Sequence, residues 1–404
     1  MQCGLLGRKL GHSYSPRIHS FLGEYSYDLM EMEPEQVGDF LRNGDFAGLN
    51  VTIPYKKTVI PFLDELSETA RLVGAVNTIV RRDGRLIGYN TDYYGFSSLL
   101  SRSGLCVEGK KCLVLGSGGA SATAQAVLKR NGAQVIVISR GGENHYGNLD
   151  RHSDAAVIVN TTPVGMYPDC DGAPVSLTAF TNPEGVLDVI YNPANTRLLQ
   201  QAQLRGITAC NGLWMLVAQA AQSAALFQNI DVEEEKIGKI HDLLRREMEN
   251  IILIGMPGSG KSTIGQLLAE KTGKEFADSD TLVSRLSGKT PAQIIAQEGE
   301  EAFRRLETQA LAQLGKQSGL VIATGGGCVT RPENYAHLHQ NGQIIWLRRP
   351  IELLPTAGRP ISQAVSPQQL YQQRAGLYEA FCDRAVENHG TPEQAVSAIM
   401  EGLQ

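Results

Sequence analysis

The stretch Ile251-Ile252-Leu253-Ile254-Gly255-Met256-Pro257-Gly258-Ser259-Gly260-Lys261-Ser262-Thr263 decides the fold of the residues that follow it. Its apolar opening reads as a buried strand, and the residues after Lys261 turn to a helical pattern. Between them, the GxxxxGK[ST] spacing lets backbone N–H groups turn inward around phosphate oxygens, while the helix N-terminus adds partial positive charge. Lys261 is expected to reach the β- and γ-phosphates of ATP, and Ser262 to ligate Mg2+. Gly258, Ser259, Gly260 and Thr263 complete the expected nucleotide-binding set. Strand, phosphate loop and helix in this order predict an α/β kinase domain with a parallel sheet.

Downstream, Asp278-Ser279-Asp280 reads as an extended segment with both carboxylates on one side, because strand side chains alternate. One carboxylate suits metal-bound water and the other an acceptor hydroxyl; the competing reading is a solvated turn. Arg304, the triple glycine Gly325-Gly326-Gly327 after the strand Leu320–Ala323, Arg359-Pro360 and Arg374 are candidates for an anionic acceptor. Guanidinium pairs with carboxylate through two parallel hydrogen bonds, which suits the fixing of a small acid. For any one of these arginines alone, a surface charge is the rival reading.

Upstream, Val232–Met248 shows Ile237, Ile240, Leu243, Leu244 and Met248 at helical spacing and runs into Ile251 without a Gly/Ser tether. Earlier still, Gly116-Ser117-Gly118-Gly119-Ala120 lies between the strand Lys111–Leu115 and the helix Ser121–Arg130, the position of a dinucleotide pyrophosphate loop. The next strand, Gln134–Ile138, ends at Ser139-Arg140. An acid there would bind the ribose of NAD, whereas Arg140 suits the 2′-phosphate of NADP. The preceding residues carry their own strands, Leu49–Ile53 and Thr78–Arg81, with a helix over Asp64–Leu72. Lys56 closes Asn50-Val51-Thr52-Ile53-Pro54-Tyr55-Lys56, and Asn90-Thr91-Asp92 sets a carboxylate beyond another turn. A lysine oriented by a carboxylate in a partly dry cleft supplies the acid/base chemistry that ketone reduction requires.

A chain of 404 residues exceeds what one core supports. The expected division is an N-terminal α/β substrate domain over residues 1–95, a Rossmann-like NADP domain over 96–248, and a P-loop kinase domain over 249–404, with helices at about 213–248 packing back on the first. A net charge of -5 gives no bulk attraction to nucleic acid or anionic lipid. Arg8 and Lys9 interrupt the N-terminus where a signal peptide needs an apolar run, and Leu213–Phe227 is too short to span a bilayer, so the expectation is a cytoplasmic protein acting on small molecules. The cysteines are scattered without a CxxC pair, which predicts neither zinc nor disulfides.

In order and spacing, GMPGSGKST, DSD, EEAFRRLE, ATGGG and RAGLYEAF resemble shikimate kinase across most of residues 250–404. The resemblance implies a nucleoside-monophosphate-kinase-like fold in which Asp280, Arg304, Gly326, Gly327 and Arg374 bind shikimate. It further implies that Ser262 and Asp278 organise Mg2+, that Asp280 orients or deprotonates the attacking hydroxyl, and that Arg359 covers the ATP phosphates. The lid region Leu353–Pro360 is a few residues short and lacks the basic residues usual before Arg359, so turnover slower than the family's, or weaker ATP binding, is expected.

Over about residues 1–248, His12-Ser13-Tyr14-Ser15-Pro16, NVTIPYK, Gly74-Ala75-Val76-Asn77-Thr78, NTD, GSGGA, Asn160-Thr161-Thr162-Pro163 and Met215-Leu216-Val217-Ala218-Gln219 resemble shikimate dehydrogenase. That resemblance implies a catalytic Lys56–Asp92 dyad, substrate binding by Ser13, Ser15, Thr52, Asn77, Tyr191 and Gln219, and a nicotinamide flanked by Val189 and Gly212. Only Arg140 matches the pair of cationic groups usual at the adenosine phosphate, and residues 145–157 leave little room for the usual helix and strand. The two resemblances imply NADPH-dependent reduction of 3-dehydroshikimate to shikimate, then ATP-dependent phosphorylation to shikimate 3-phosphate. The alternative is a quinate-type or NAD-linked dehydrogenase fused to a nucleotide-binding module with weak or no phosphotransfer.

Overall fold

The apolar run before the phosphate loop is a buried strand, Asn250–Ile254, paired in parallel with Leu320–Ala323 on one side and Gly342–Arg348 on the other. With Glu275–Asp278 and Arg384–Glu387 outside them, these form a five-stranded sheet whose pairs are all parallel. Ile252 and Ile254 enter one core with Leu311, Trp346 and Tyr378, while Ile251 and Leu253 enter another with Ile264, Leu268 and Val396. Alternate residues thus fill cores on opposite faces, which is why this strand reads as an unbroken apolar run. The computed structural model describes residues 1–11, 13–354 and 366–403. Arg359 and the rest of the expected lid from Pro355 onward lie outside the described residues, as does His12.

The extended segment expected over Asp278-Ser279-Asp280 is not what forms. Asp278 ends its strand and caps the helix Ser279–Ser287, its Oδ1 accepting from the N–H of Asp280 at 2.9 Å and of Thr281 at 3.3 Å. Asp280 therefore sits in the first turn of a helix, and the alternation of strand side chains does not apply to it. Aspartate is a strong N-cap, and satisfying otherwise orphaned helix N–H groups outweighs continuing the strand.

The chain divides into two units, Met1–Tyr191 with Leu198–Leu244 and Asn192–Arg197 with Arg245–Gln404. The first unit holds two sheets. A mixed sheet runs Ser26–Glu31, Gln2–Gly7, Gly48–Val51, Thr78–Arg82, Arg85–Tyr89, Glu65–Leu66. A parallel sheet runs Thr208–Cys210, Gly185–Asp188, Val157–Asn160, Lys111–Leu115, Gln134–Ile138. In the second sheet the strand order reverses at Lys111–Leu115, so the glycine loop and the Asn160 turn lie beside each other at the carboxyl ends, where doubly wound sheets bind ligands. The helices Thr91–Ser103 and Leu213–Gln228 pack so closely that a Cβ on Gly95 would stand 2.7 Å from the carbonyl oxygen of Met215.

Local departures have local causes. The strand expected over Leu49–Ile53 stops at Val51, because the N–H of Tyr55 donates to the carbonyl of Thr52 at 2.9 Å and closes a turn. The helix expected over Asp64–Leu72 begins only at Glu68: Asp64 accepts from the N–H of Leu86 at 2.7 Å, Glu65–Leu66 pairs with Ile87–Gly88, and Ser67 caps the helix. Between His145 and Val157 the helix is reduced to the 3-10 segment Tyr146–His152, while the strand Val157–Asn160 still forms. No helix among the described residues is long and apolar enough to cross a membrane.

Candidate active sites

In the first unit, Lys56 leaves the turn after Gly48–Val51, its carbonyl accepting from the N–H of Val76 at 2.8 Å. Tyr55 is buried beside it and donates its hydroxyl to the carbonyl of Met32 at 2.5 Å, anchoring the turn. Asp92 lies in the first turn of Thr91–Ser103, whose cap Asn90 accepts from the N–H of Tyr93 at 3.1 Å. A carboxylate there is favoured by the helix dipole. Lys56 Nζ and Asp92 Oδ2 meet at 2.6 Å, with side chains 26% and 16% exposed, so the pair is partly dry yet reachable.

Asn77 and Gln219 converge on Thr91, the residue before Asp92. Asn77 Oδ1 accepts from the N–H of Thr91 at 2.6 Å and Asn77 Nδ2 donates to its hydroxyl at 3.0 Å, while Gln219 Oε1 stands 3.5 Å from that hydroxyl. Ser13 and Ser15 sit together at the start of the helix Ser15–Leu22, Ser13 Oγ accepting from the N–H of Ser15 at 3.2 Å. Tyr191 packs edge-on against Tyr14 with ring centres 6.0 Å apart, and burial raises its phenol above the ordinary range. Thr52 is half-buried, its N–H donating to the carbonyl of Leu6 at 2.9 Å.

At the dinucleotide loop, Gly116 takes φ +107° and its carbonyl accepts from Ser121 Oγ at 2.7 Å; Ser117, Gly118 and Gly119 are exposed, and the helix starts at Gly119. Exposed amides at a helix start suit a pyrophosphate. Gly212 and Val189 are brought together so tightly that a Cβ on Gly212 would stand 2.0 Å from the carbonyl oxygen of Val189. Asp188 enforces this: fully buried, its Oδ1 accepts from Asn160 Nδ2 at 3.0 Å and from the N–H of Ile190 at 3.1 Å, and Ile190 in turn accepts from Gly212. Arg140 is exposed beyond Ser139, whose hydroxyl donates to the carbonyl of Gly141.

In the second unit, a cavity of about 610 Å³ is lined by Gly258, Gly260, Lys261, Ser262, Thr263, Asp278, Asp280, Arg304, Gly326, Gly327 and Arg374 among others. Lys261 is 8% exposed and donates to the carbonyls of Gly255 at 2.8 Å and Met256 at 3.0 Å. Ser262 Oγ donates to Asp278 Oδ2 at 2.9 Å, placing both expected Mg2+ residues together. No cluster of three or more His, Cys, Asp or Glu fit to hold a metal occurs among the described residues.

Arg304 is no surface charge. It is 5% exposed and clamped between Glu300 Oε1 at 2.8 Å and Glu307 Oε2 at 2.7 Å. Glu307 is fully buried, its Oε1 lacks a partner, and burial pushes its carboxyl up against the pull of Arg304. The triple glycine is a packing requirement: a Cβ on Gly325 would stand 2.1 Å from Glu307 Oε1, one on Gly326 2.7 Å from the Pro257 ring, and one on Gly327 2.1 Å from Arg304 Nη2. Arg374 donates to the carbonyl of Gly326 at 3.2 Å, and Tyr378, one turn on, donates its hydroxyl to the same oxygen.

Asp280 has a buried, unpartnered Oδ1 aimed into this arrangement. Its carboxyl is raised to about 6, first by burial and then by Glu307 and Asp278, with Lys261 and Arg304 opposing. An unpaired acceptor beside two guanidinium groups fits an acceptor carrying both a hydroxyl and a carboxylate. Glu307, Asp188 and Tyr378 have no role in the sequence reading. Glu307 alone had a legible signal, an acid three positions after an arginine on a helix.

Two family models match the chain, described as "Shikimate kinase" over residues 257–404 and "Shikimate dehydrogenase substrate binding domain" over residues 5–79. The shikimate dehydrogenase (NADP(+)) of Clostridium beijerinckii is 34% identical over 266 residues, covering 61% of this chain and 98% of that protein. Among solved structures, a chorismate mutase/shikimate 5-dehydrogenase fusion protein from Clostridium acetobutylicum superposes with a TM-score of 0.58 at 38% identity, over 60% of this chain and 96% of that one. Shikimate 5-dehydrogenase from Thermus thermophilus, in complex with NADP(H) and shikimate, gives a TM-score of 0.54 at 30% identity, over 60% of this chain and 98% of that one.

Proposed function

Because the chain belongs to the shikimate dehydrogenase family and carries a shikimate kinase domain at its C-terminus, we propose that it makes shikimate in one half and phosphorylates it in the other. The first reaction is the reduction of 3-dehydroshikimate and the second forms shikimate 3-phosphate. The observation that carries this reading is Asp280, a carboxyl raised to about 6 that lines one cavity with Lys261, Arg304 and Arg374. When bound, NADPH supplies the hydride and MgATP the phosphoryl group.

In the dehydrogenase half, spanning the substrate domain at 1–95 and the dinucleotide domain at 96–248, Lys56 donates a proton to the oxygen that becomes the C3 hydroxyl, and Asp92 holds the ammonium in place. Asn77, Gln219, Thr52, Tyr191, Ser13 and Ser15 orient the ring through its hydroxyls and carboxylate. The loop Gly116–Ala120 fits a pyrophosphate, and Gly212 with Val189 leaves a flat wall for a nicotinamide. Arg140, with no acid at the strand end, suits a 2′-phosphate and hence NADP.

In the kinase half, at 249–404, Arg304 and Arg374 hold the carboxylate of shikimate and Asp280 accepts the proton of its 3-hydroxyl. The loop Gly258–Thr263 fits the nucleotide phosphates, Lys261 exchanging its hold on Gly255 and Met256 for phosphate oxygens, while Ser262 and Asp278 suit Mg2+. In this reading both reactions belong to a cytoplasmic protein acting on small molecules. Shikimate-dependent reduction of NADP+ and shikimate-dependent ADP release, each measured on the purified chain with quinate as comparison, test both halves. Absence of ADP release with shikimate, or preference for quinate, would overturn the corresponding half.

A further inference from the structure

Beneath the Lys56–Asp92 pair lies a buried ring of three hydroxyls, with Ser223 Oγ 2.9 Å from Thr78 Oγ1 and 3.0 Å from Thr91 Oγ1, and those two 3.2 Å apart. Each of these residues is 2% exposed or less, so no bulk water competes. Asn50 Nδ2 donates to Ser223 Oγ at 2.8 Å and to Thr78 Oγ1 at 3.1 Å, and its Oδ1 accepts from Tyr27 Oη at 2.7 Å. The ring of Tyr27 stacks on His19 with ring centres 3.9 Å apart. Ser223 Oγ further lies 3.0 Å from the carbonyl of Gln219, one turn earlier on its helix.

From this arrangement we infer that Ser223 is a positioning residue of the dehydrogenase site, holding Thr91 and through it the side-chain amides of Asn77 and Gln219. The inference rests on the proposed assignment of those two amides to shikimate.

One serine matters because the protons of the ring are few. Asn50 donates into both Ser223 and Thr78, and Asn77 donates into Thr91, so each hydroxyl already accepts one bond. The three hydroxyl protons must then go to the remaining acceptors: the Gln219 carbonyl, the Asn77 and Gln219 amide oxygens, and one another. With Ser223 donating to Thr91 Oγ1, Thr91 points its own proton at an amide oxygen, Asn77 Oδ1 at 3.2 Å or Gln219 Oε1 at 3.5 Å, which fixes which way Asn77 and Gln219 present their N–H2 groups. Removing Ser223 Oγ leaves Asn50 its bonds to Thr78 and to the Asn77 carbonyl, but frees the Thr91 hydroxyl to rotate. The loss falls on ligand orientation, because Lys56 and Asp92 make no bond to Ser223.

The test is Ser223→Ala in the full chain, with shikimate oxidation followed in initial rates. A lost buried hydrogen bond acting through orientation predicts a KM for shikimate raised about tenfold, kcat changed less than about threefold and KM for NADP+ unchanged. Asn77→Ala and Gln219→Ala are the controls, and each raises the KM for shikimate if the assignment of the amides is right. In the double variant Ser223→Ala/Asn77→Ala the effects combine to less than their product. A uniform loss across both KM values and kcat, or multiplicative effects in the double variant, overturns the inference and leaves Ser223 a packing residue. Controls that leave the KM for shikimate unchanged overturn the amide assignment and the inference with it. If Ser223→Ala fails to fold, Ser223→Cys, which keeps a weak donor of similar size, carries the same comparison.

Discussion

Replacing Asp280 by asparagine should stabilise the second unit while disabling its chemistry. The carboxyl of Asp280 is raised from 3.8 to about 6 by burial and by Glu307 and Asp278. At about 1.4 kcal/mol per pKa unit, keeping it ionised at pH 7.5 costs the fold about 3 kcal/mol. The folded state therefore holds a proton that the unfolded chain releases between about pH 4 and 6, and the cost grows as pH rises through that window. Asparagine keeps the shape and removes the charge. Trp346 is buried in the second unit and Trp214 lies in the first, so a Trp214→Phe background leaves Trp346 fluorescence as a private reporter of the second. Urea unfolding in that background should show Asp280→Asn more stable by about 2 to 3 kcal/mol at pH 7.5, with the gap closing toward pH 4. Shikimate-dependent ADP release should fall by roughly 100- to 10,000-fold with the loss of the base. A destabilised variant at pH 7.5, or a gain equally large at pH 4, refutes the account of strain at this carboxylate.

Three further outcomes follow from the sites. Phosphotransfer kcat/KM should fall below about pH 6 as Asp280 takes up a proton, a limb that dehydrogenase activity does not share; a flat kinase profile from pH 5 to 8 contradicts its role as base. Arg140→Ala should raise the KM for NADP+ about tenfold and leave that for NAD+ unchanged, measured by initial rates with both; equal changes would show that Arg140 reads no 2′-phosphate. Gly212→Ala, with its new methyl 2.0 Å from the Val189 carbonyl, should weaken NADPH binding by about tenfold or more in a fluorescence titration, and unchanged affinity would exclude Gly212 from the nicotinamide wall.

How much of the molecule was legible in its sequence depended on how local each cause was. The phosphate loop, the glycine loop and the strands Lys111–Leu115, Gln134–Ile138 and Leu320–Ala323 could be read from apolar runs bounded by glycine, because both signals lie within a dozen residues. The turn at Thr52–Tyr55 and the cap at Asp278 competed with strand continuation through single hydrogen bonds, which periodicity does not register. Arg304 was visible as a residue but not as a buried one, since its burial is set by Glu307 and by glycines about twenty positions away. The hydroxyl ring of Thr78, Thr91 and Ser223 and the Asn50 amide that donates into it come together only through the mixed sheet and the helices Thr91–Ser103 and Leu213–Gln228.

The central claim, that one half makes the acceptor the other half uses, meets its most direct test in a mixture of 3-dehydroshikimate, NADPH and MgATP, with NADPH loss and ADP release followed separately. Lys56→Ala should abolish both signals, added shikimate should then restore ADP release, and Lys261→Ala should abolish ADP release alone. ADP release by Lys56→Ala before any shikimate is added, or failure of shikimate to restore it, would contradict the claim.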